Sequence, residues 1–524
     1  LLLLRRVVDQ ALQEGQALDQ LRQPLQQQQG KAQRHHQVHG PADQAAGIGR
    51  HLAGLEALDE EGDAIPQHGQ AYRREEGDEA EAQEVELQKW STATSYREDI
   101  YTTVQNFHKK YPDLKKISPA LDVEDLRLIE ETTRDFKRAG MHLPKSERDR
   151  VQDLKNQLSQ TGVDFERNIR KIKGEVTFTA EELRGVPDIE SLKKGDKYVV
   201  DVRTAADYLR VAENAQLEST RKKLEIAEHQ RAMKENSPNL ETMIALRDQI
   251  AKALGYPSWA DYVLEDRMAK TPKNVKDFLL TFRKNLRPKF VAEQKEYRKL
   301  KSKDVGRIDS DIHFWDWRYY RNQYEKNQFN IDKESLRVFF EMNRVQKGVF
   351  GVYEEIFGIR ISEIEPPYKW TADLKLFKID DAKSKTTLGY FYLDLFPRDN
   401  KYNHFASFGV IDGKKLANGA YQKPVNALVC NFPKPTATSP SLLTHDDVST
   451  FFHEFGHALH SILTTAKYHR FSGTSVPQDF VEAPSQMLEN WAFSADVLNR
   501  FAEDYRDSSK KIDPFILKQL QTAR

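Results

Sequence analysis

His453 and His457 stand four residues apart, with Glu454 directly after the first, in the pattern His-Glu-x-x-His. The surrounding stretch 448–464 is patterned as a helix. Successive helical residues turn by about 100°, so positions four apart nearly eclipse, about 6 Å apart at Cβ. Two imidazoles so placed can share one metal ion. Glu454 leans toward the same place, which would put a carboxylate beside the metal's open position, as amide hydrolysis by zinc requires. Phe451, Phe452, Phe455, Leu459 and Ile462 give the segment an apolar side that would bury it. Two histidines and a glutamate on a buried helix are costly unless something compensates their polarity. Gly456 is a poor helix former, and its presence makes sense if another backbone or a substrate passes close by.

A tetrahedral catalytic zinc site takes three protein ligands and leaves one place open. Glu482 is the candidate third ligand, set among Phe480, Val481, Met487, Leu488 and Trp491. The chain between holds Gly473 and Pro477 and is long enough to turn back, so Glu482 can return on a second helix packed against the first. Pro484 is tolerated there only in the first turn. Asp479 would then lie close to an N-cap. Glu489, two turns on and on the same face as Glu482, is the runner-up ligand or an outer partner. The ordinary alternative for either acid is a solvated helix face.

Several longer blocks carry a resemblance. Cys430 to Thr436, Ser441 to Asp446, Phe452 to His460 and Phe471 to Trp491 are similar to the thimet oligopeptidase and neurolysin family of zinc peptidases. Upstream, Arg97 to Tyr101, Met268 to Thr271, Trp315 to Tyr320 and Phe391 to Arg398 follow family blocks in the same order. The resemblance covers about residues 95 to 495. It implies His453, His457 and Glu482 as ligands of one Zn2+ per chain and Glu454 as general base. It also implies a mainly α, two-lobed, zincin-type body whose deep cleft carries the zinc on its floor and admits short unfolded peptides. The run Asp479 to Trp491 resembles the oligopeptidase branch, and the mitochondrial processing branch departs from it there. The resemblance also leads one to expect a Gly- and Tyr-rich loop with a histidine well beyond Trp491. The sequence stops at Arg524 without it, so a truncated chain is expected. The competing reading is an inactive fragment that at most binds peptides or partners through its helices.

Composition bounds the rest. Lys plus Arg equals Asp plus Glu at 80 each, so no net field argues for nucleic acid or an anionic membrane. No apolar run approaches the 18 or so residues of a spanning helix. A single cysteine, Cys430, has no disulfide partner in the chain and reads as a buried strand residue in a reducing compartment. A monomer in the cytosol is expected, with the mitochondrial intermembrane space as the alternative. The first ninety residues contain no Ser, Thr, Asn, Phe, Met or Cys, although even disordered segments use Ser and Thr freely. Residues 1–91 therefore read as a low-complexity, mistranslated or wrongly joined stretch, and the cluster His35, His36, His39 as noise. Residues 92–380 read as a helical lobe and 381–524 as the zinc-binding region, incomplete at its end.

Within 92–380, Val151, Leu154, Leu158, Phe165, Ile169 and Ile172 make one apolar helical stripe. Residues 122–139, 240–254 and 275–300 read as further helices, with Thr271-Pro272 as a helix start. Strand signals are few: 389–395 alternates and 426–432 is a short apolar run. They predict a small β-sheet beside the His-Glu-x-x-His helix, whose edge strand could pair with an extended peptide.

Overall fold

The computed structural model describes residues 95–522, apart from 112–120, 309–310, 330, 368, 399–400 and 403. The reading of residues 1–91 lies outside the described residues, as does the His35, His36, His39 cluster. The chain divides into two compact units, Leu1–Gln160 and Thr161–Arg524.

The first unit holds α1 (Glu98–Lys110), α2 (Val123–Ala139) and the start of α3 (Lys145–Lys171). Asp122 caps α2 through a capping box with Asp125, and Gly140 ends it in the left-handed conformation. Tyr101 and Phe136 meet edge to face at 5.7 Å.

The second unit begins with a small antiparallel sheet of β1 (Glu175–Phe178), β2 (Lys193–Lys194) and β3 (Lys197–Asp201), in the order β1-β3-β2. Helices follow: α4 (Ala205–Asn214), α5 (Glu218–His229), α6 (Met233–Ala253), α7 (Trp259–Leu264), α8 (Pro272–Val305), α9 (Trp317–Phe329), α10 (Lys333–Leu336) and α11 (Met342–Phe357). Next come β4 (Ile359–Ile364), β5 (Lys375–Asp381), β6 (Thr387–Asp394), β7 (Ala406–Ile411), β8 (Lys414–Lys415), β9 (Tyr421–Gln422) and β10 (Val425–Val429). The chain closes with α12 (His445–Ile462), α13 (Glu482–Leu488), α14 (Ala495–Leu498) and α15 (Pro514–Thr522). The fold is mainly α with small sheets, as the sequence predicts.

The sheet beside α12 is larger than the two strands legible in sequence. It runs β4-β5-β6-β10-β7, antiparallel except for the β6–β10 pair, which is parallel. Phe391 and Leu393 of β6 and Leu428 of β10 turn their buried side chains into a core that extends from Ile331 to Leu520. At its centre Phe350 of α11 packs against Phe377, Phe391 and Phe455 with ring centroids 5.0–5.7 Å apart. Each such side chain fully buried contributes roughly 1.5–3 kcal/mol.

Strand β7 is an edge of this sheet, and its Phe408, Val410 and Ile411 are exposed. Helix α8 spans 34 residues and buries only Lys301, while Phe278, Leu279, Phe282, Leu286 and Phe290 are exposed along it. Lys301 reaches the fully buried Asp316, whose oxygens receive Arg221 Nη2 at 2.7 Å and Lys301 Nζ at 2.6 Å. No helix among the described residues is long and apolar enough to cross a membrane.

Candidate metal centre

Helix α12 starts where a capping box stops the chain from fraying. Thr444 Oγ1 accepts the Asp447 amide at 3.0 Å, and Asp447 Oδ2 accepts the Thr444 amide at 2.8 Å. Asp446 and Asp447 in its first turn complement the helix dipole. Val448, Phe451, Phe452, Phe455, Leu459 and Ile462 are buried in the core, and Tyr353 donates its hydroxyl to the Phe452 carbonyl at 2.6 Å. The orientation of α12 about its own axis is thereby set, and His453 and His457 emerge together on the opposite side.

Helix α13 runs back along α12. The two backbones approach closely at Gly456, where an added Cβ would lie 3.0 Å from Leu488 Cδ1 and 3.2 Å from Ser485 Cα. Pro484 falls in the first turn of α13, as its missing N–H demands. Asp479 does not cap this helix. The helix begins only at Glu482, because Phe480 and Val481 instead turn their amides onto the Pro477 carbonyl.

Three donor atoms converge. His457 Nε2 lies 3.1 Å from His453 Nε2 and 3.0 Å from Glu482 Oε2, and His453 Nε2 lies 3.1 Å from the same oxygen. Glu482 is steadied by Ser485 Oγ, which donates to Oε2 at 3.1 Å and to its backbone carbonyl at 3.0 Å. Glu489 reaches His453 from the other side, with Oε1 2.7 Å from Nδ1. A carboxylate only accepts, so this contact puts the ring proton on Nδ1 and turns the Nε2 lone pair toward Glu482. Among the sequence candidates, His453, His457 and Glu482 are thus brought together, and Glu489 touches the outer nitrogen.

This donor set fits a zinc ion. The lone pairs of His453 Nε2 and Glu482 Oε2 face each other at 3.1 Å, a repulsive contact unless a cation or proton lies between. Zinc at about 2.0–2.1 Å from each ligand in a tetrahedron separates ligand atoms by about 3.3 Å, close to the spacing found. Glu454 is buried beside the group, and burial raises its carboxyl above the usual range, the charge of Glu482 adding to the rise against the opposing His453. Burial likewise pushes the His457 and His460 imidazoles down. Glu218, His313 and Asp316 form another acidic and histidine group. The Lys301 ammonium lies 2.6 Å from Asp316 and 3.3 Å from Glu218, and a second cation has no place there.

Sequence reasoning missed Ser485 as a partner of Glu482 and did not find that the Asp479 carboxylate accepts the Met268 and Ala269 amides. A serine three residues after a candidate ligand on a helix could have signalled the first; nothing local signals the second.

Comparison with known proteins agrees with the resemblance. The profile of peptidase family M3 matches residues 211–523. The chain is 37% identical over 465 residues to the thimet-like oligopeptidase of Dictyostelium discoideum, covering 84% of this chain and 68% of that one. It is 32% identical over 458 residues to saccharolysin of Saccharomyces cerevisiae, covering 84% and 64%. It is 30% identical over 460 residues to oligopeptidase A of Escherichia coli, covering 84% and 66%. The chain belongs to peptidase family M3. It spans about two thirds of the length of the curated relatives it matches.

Proposed function

We propose that this chain is a zinc-dependent endopeptidase acting on short unfolded peptides. The observation that carries the reading is the triangle of His453 Nε2, His457 Nε2 and Glu482 Oε2, with sides of 3.0–3.1 Å. These three side chains would hold one Zn2+, and Glu489 keeps the first imidazole in the tautomer that can donate its lone pair. Bound zinc supplies Lewis acidity for amide hydrolysis.

Glu454 is the general base. It takes the proton of the attacking water and then delivers it to the leaving amine. The raised carboxyl suits the first step, because a stronger base abstracts the proton of water better. The free edge of β7 offers backbone groups to an extended peptide, and side-chain pockets would set the preference for sequence. We assign residues 381–524 to the catalytic region and the helices before it to the supporting lobe, with the monomer in the cytosol as the working form.

Zinc content and cleavage of a quenched fluorescent peptide test the proposal. Glu454→Gln should keep one zinc per chain and lose turnover, and hydrolysis at the unaltered rate would refute the base assignment. His457→Ala should release the metal; a stoichiometric ion retained there would contradict the ligand set. Zinc uptake by the unaltered chain without cleavage would leave it as a peptide-binding scaffold.

A further inference from the structure

Asp479 lies three residues ahead of Glu482 and takes no part in the centre itself. Its Oδ1 accepts the Met268 amide at 2.9 Å and its Oδ2 accepts the Ala269 amide at 2.9 Å. Those two amides belong to the junction between α7 and α8, 211 and 210 residues away in sequence. The junction is an unusual piece of backbone. Lys270 has φ +65°, a conformation that side-chain-bearing residues rarely adopt and that persists only where neighbours enforce it.

Both ends of the tie are stiff. On one side, the Ala269 carbonyl accepts from the Thr271 amide at 2.7 Å and from Asn274 Nδ2 at 2.8 Å, and Thr271 Oγ1 accepts the Asn274 amide at 3.2 Å. The junction is therefore continuous with the first turn of α8, a helix about 51 Å long by its rise per residue. On the other side, Pro477 O accepts from Phe480 and Val481, and Phe480 O accepts from Ala483 at 2.8 Å. A displacement of Asp479 thus passes through three residues of hydrogen-bonded turn to Glu482. Because α8 buries only Lys301 along its length, this bidentate, charge-assisted contact is a principal constraint on where the helix starts.

We infer that Asp479 is a positioning residue for the Glu482 carboxylate, tying the ligand-bearing turn to the base of α8 so that the posture of that helix and the hold on the metal are coupled. The inference rests on the metal reading above. Coupling is reciprocal, so zinc bound at Glu482 must in turn steady the junction.

The experiment uses the full chain and Zn2+ alone, with zinc release followed by a chromophoric chelator and backbone amide exchange followed across 264–272. In the unaltered chain, zinc should slow exchange of the Met268 and Ala269 amides. Asp479→Asn, which loses one acceptor oxygen, and Asp479→Ala, which loses both, should remove that slowing and release zinc roughly three- to tenfold faster, less than the tenfold or more usual for a residue that touches a ligand directly. The metal-free melting temperature should stay near that of the parent, which separates positioning from a general loss of stability. Zinc release from Asp479→Ala at the parent rate, or amides indifferent to zinc in the unaltered chain, would overturn the inference alone. An unaltered chain that takes up no stoichiometric zinc would overturn the metal reading and this inference with it.

Discussion

Gly456 separates the packing of the site from the stability of the fold. A β-carbon there would stand 3.0 Å from Leu488 Cδ1 and 3.2 Å from Ser485 Cα. The leucine methyl is the tip of a flexible side chain and can turn away, but the serine contact is backbone, so α13 must retreat by a few tenths of an ångström. Against this, alanine gains about 1 kcal/mol of helix propensity over glycine. The two effects nearly cancel for Gly456→Ala, whose metal-free melting temperature should stay within about 2 °C of the parent. The retreat of α13 carries Glu482 with it. A shift of that size approaches the roughly 0.5 Å tolerance of a well-built site, so zinc affinity should fall by about tenfold, or about 1.4 kcal/mol. Gly456→Val adds two methyls and should cost about 1–3 kcal/mol of stability as well as a larger share of the affinity. Chelator competition and thermal unfolding of the metal-free protein read the two quantities separately. If Gly456→Val binds zinc as tightly as the parent, α13 does not depend on this contact to present Glu482, and the reasoning fails.

Glu489→Gln leaves a side chain that can donate to His453 Nδ1 and select the wrong tautomer, so zinc should bind roughly 10- to 100-fold more weakly, measured by the same competition. Asp316→Ala takes from the buried Arg221 its carboxylate and leaves Lys301 with Glu218 alone, and should cost about 3–5 kcal/mol, read from the urea midpoint. Burial holds the His445 imidazole below its ordinary value, and its Nε2 donates to the Ala492 carbonyl at 2.7 Å. From about pH 6.5 down to the depressed folded value, the unfolded chain binds a proton that the folded chain refuses, so stability must fall as pH falls. Urea midpoints at about pH 8 and about pH 5.5 should therefore differ less in His445→Gln than in the parent.

What could be read in the sequence was whatever is decided locally. Thr271-Pro272 starts α8 with a cap and a proline of its own, whereas the Thr444–Asp447 box that starts α12 at His445, three residues before the apolar pattern begins, was not read. Strands β6 and β10 announced themselves through alternation or an apolar run. Strand β7 did not, because an edge strand with one solvated side carries Gly409 and exposed Val410 and Ile411 without a buried pattern. Glu489 was ambiguous for a geometric reason. It follows the last residue of α13, which lies antiparallel to α12, so seven residues forward from Glu482 means backward along α12. That offset takes Glu489 past the Nε2 atoms to Nδ1 of His453. The position of Asp479 depended on where α13 begins, and Pro477 rather than any capping side chain decides that.

The back of α12 explains the front. Phe451, Phe452 and Phe455 are fully buried against α11 and the sheet, and Gly456 admits α13 on the flank. Between these surfaces Glu454 is taken out of water, which no carboxylate favours and which the surrounding apolar burial must offset. The same desolvation raises its proton affinity, which favours taking a proton from water. Packing that stabilises the helix therefore also raises the proton affinity of Glu454, the base we propose. Any substitution that lets water reach Glu454 from behind, such as Phe455→Ala, should lower both together, whereas a change confined to Glu489 should weaken the metal and leave the fold intact.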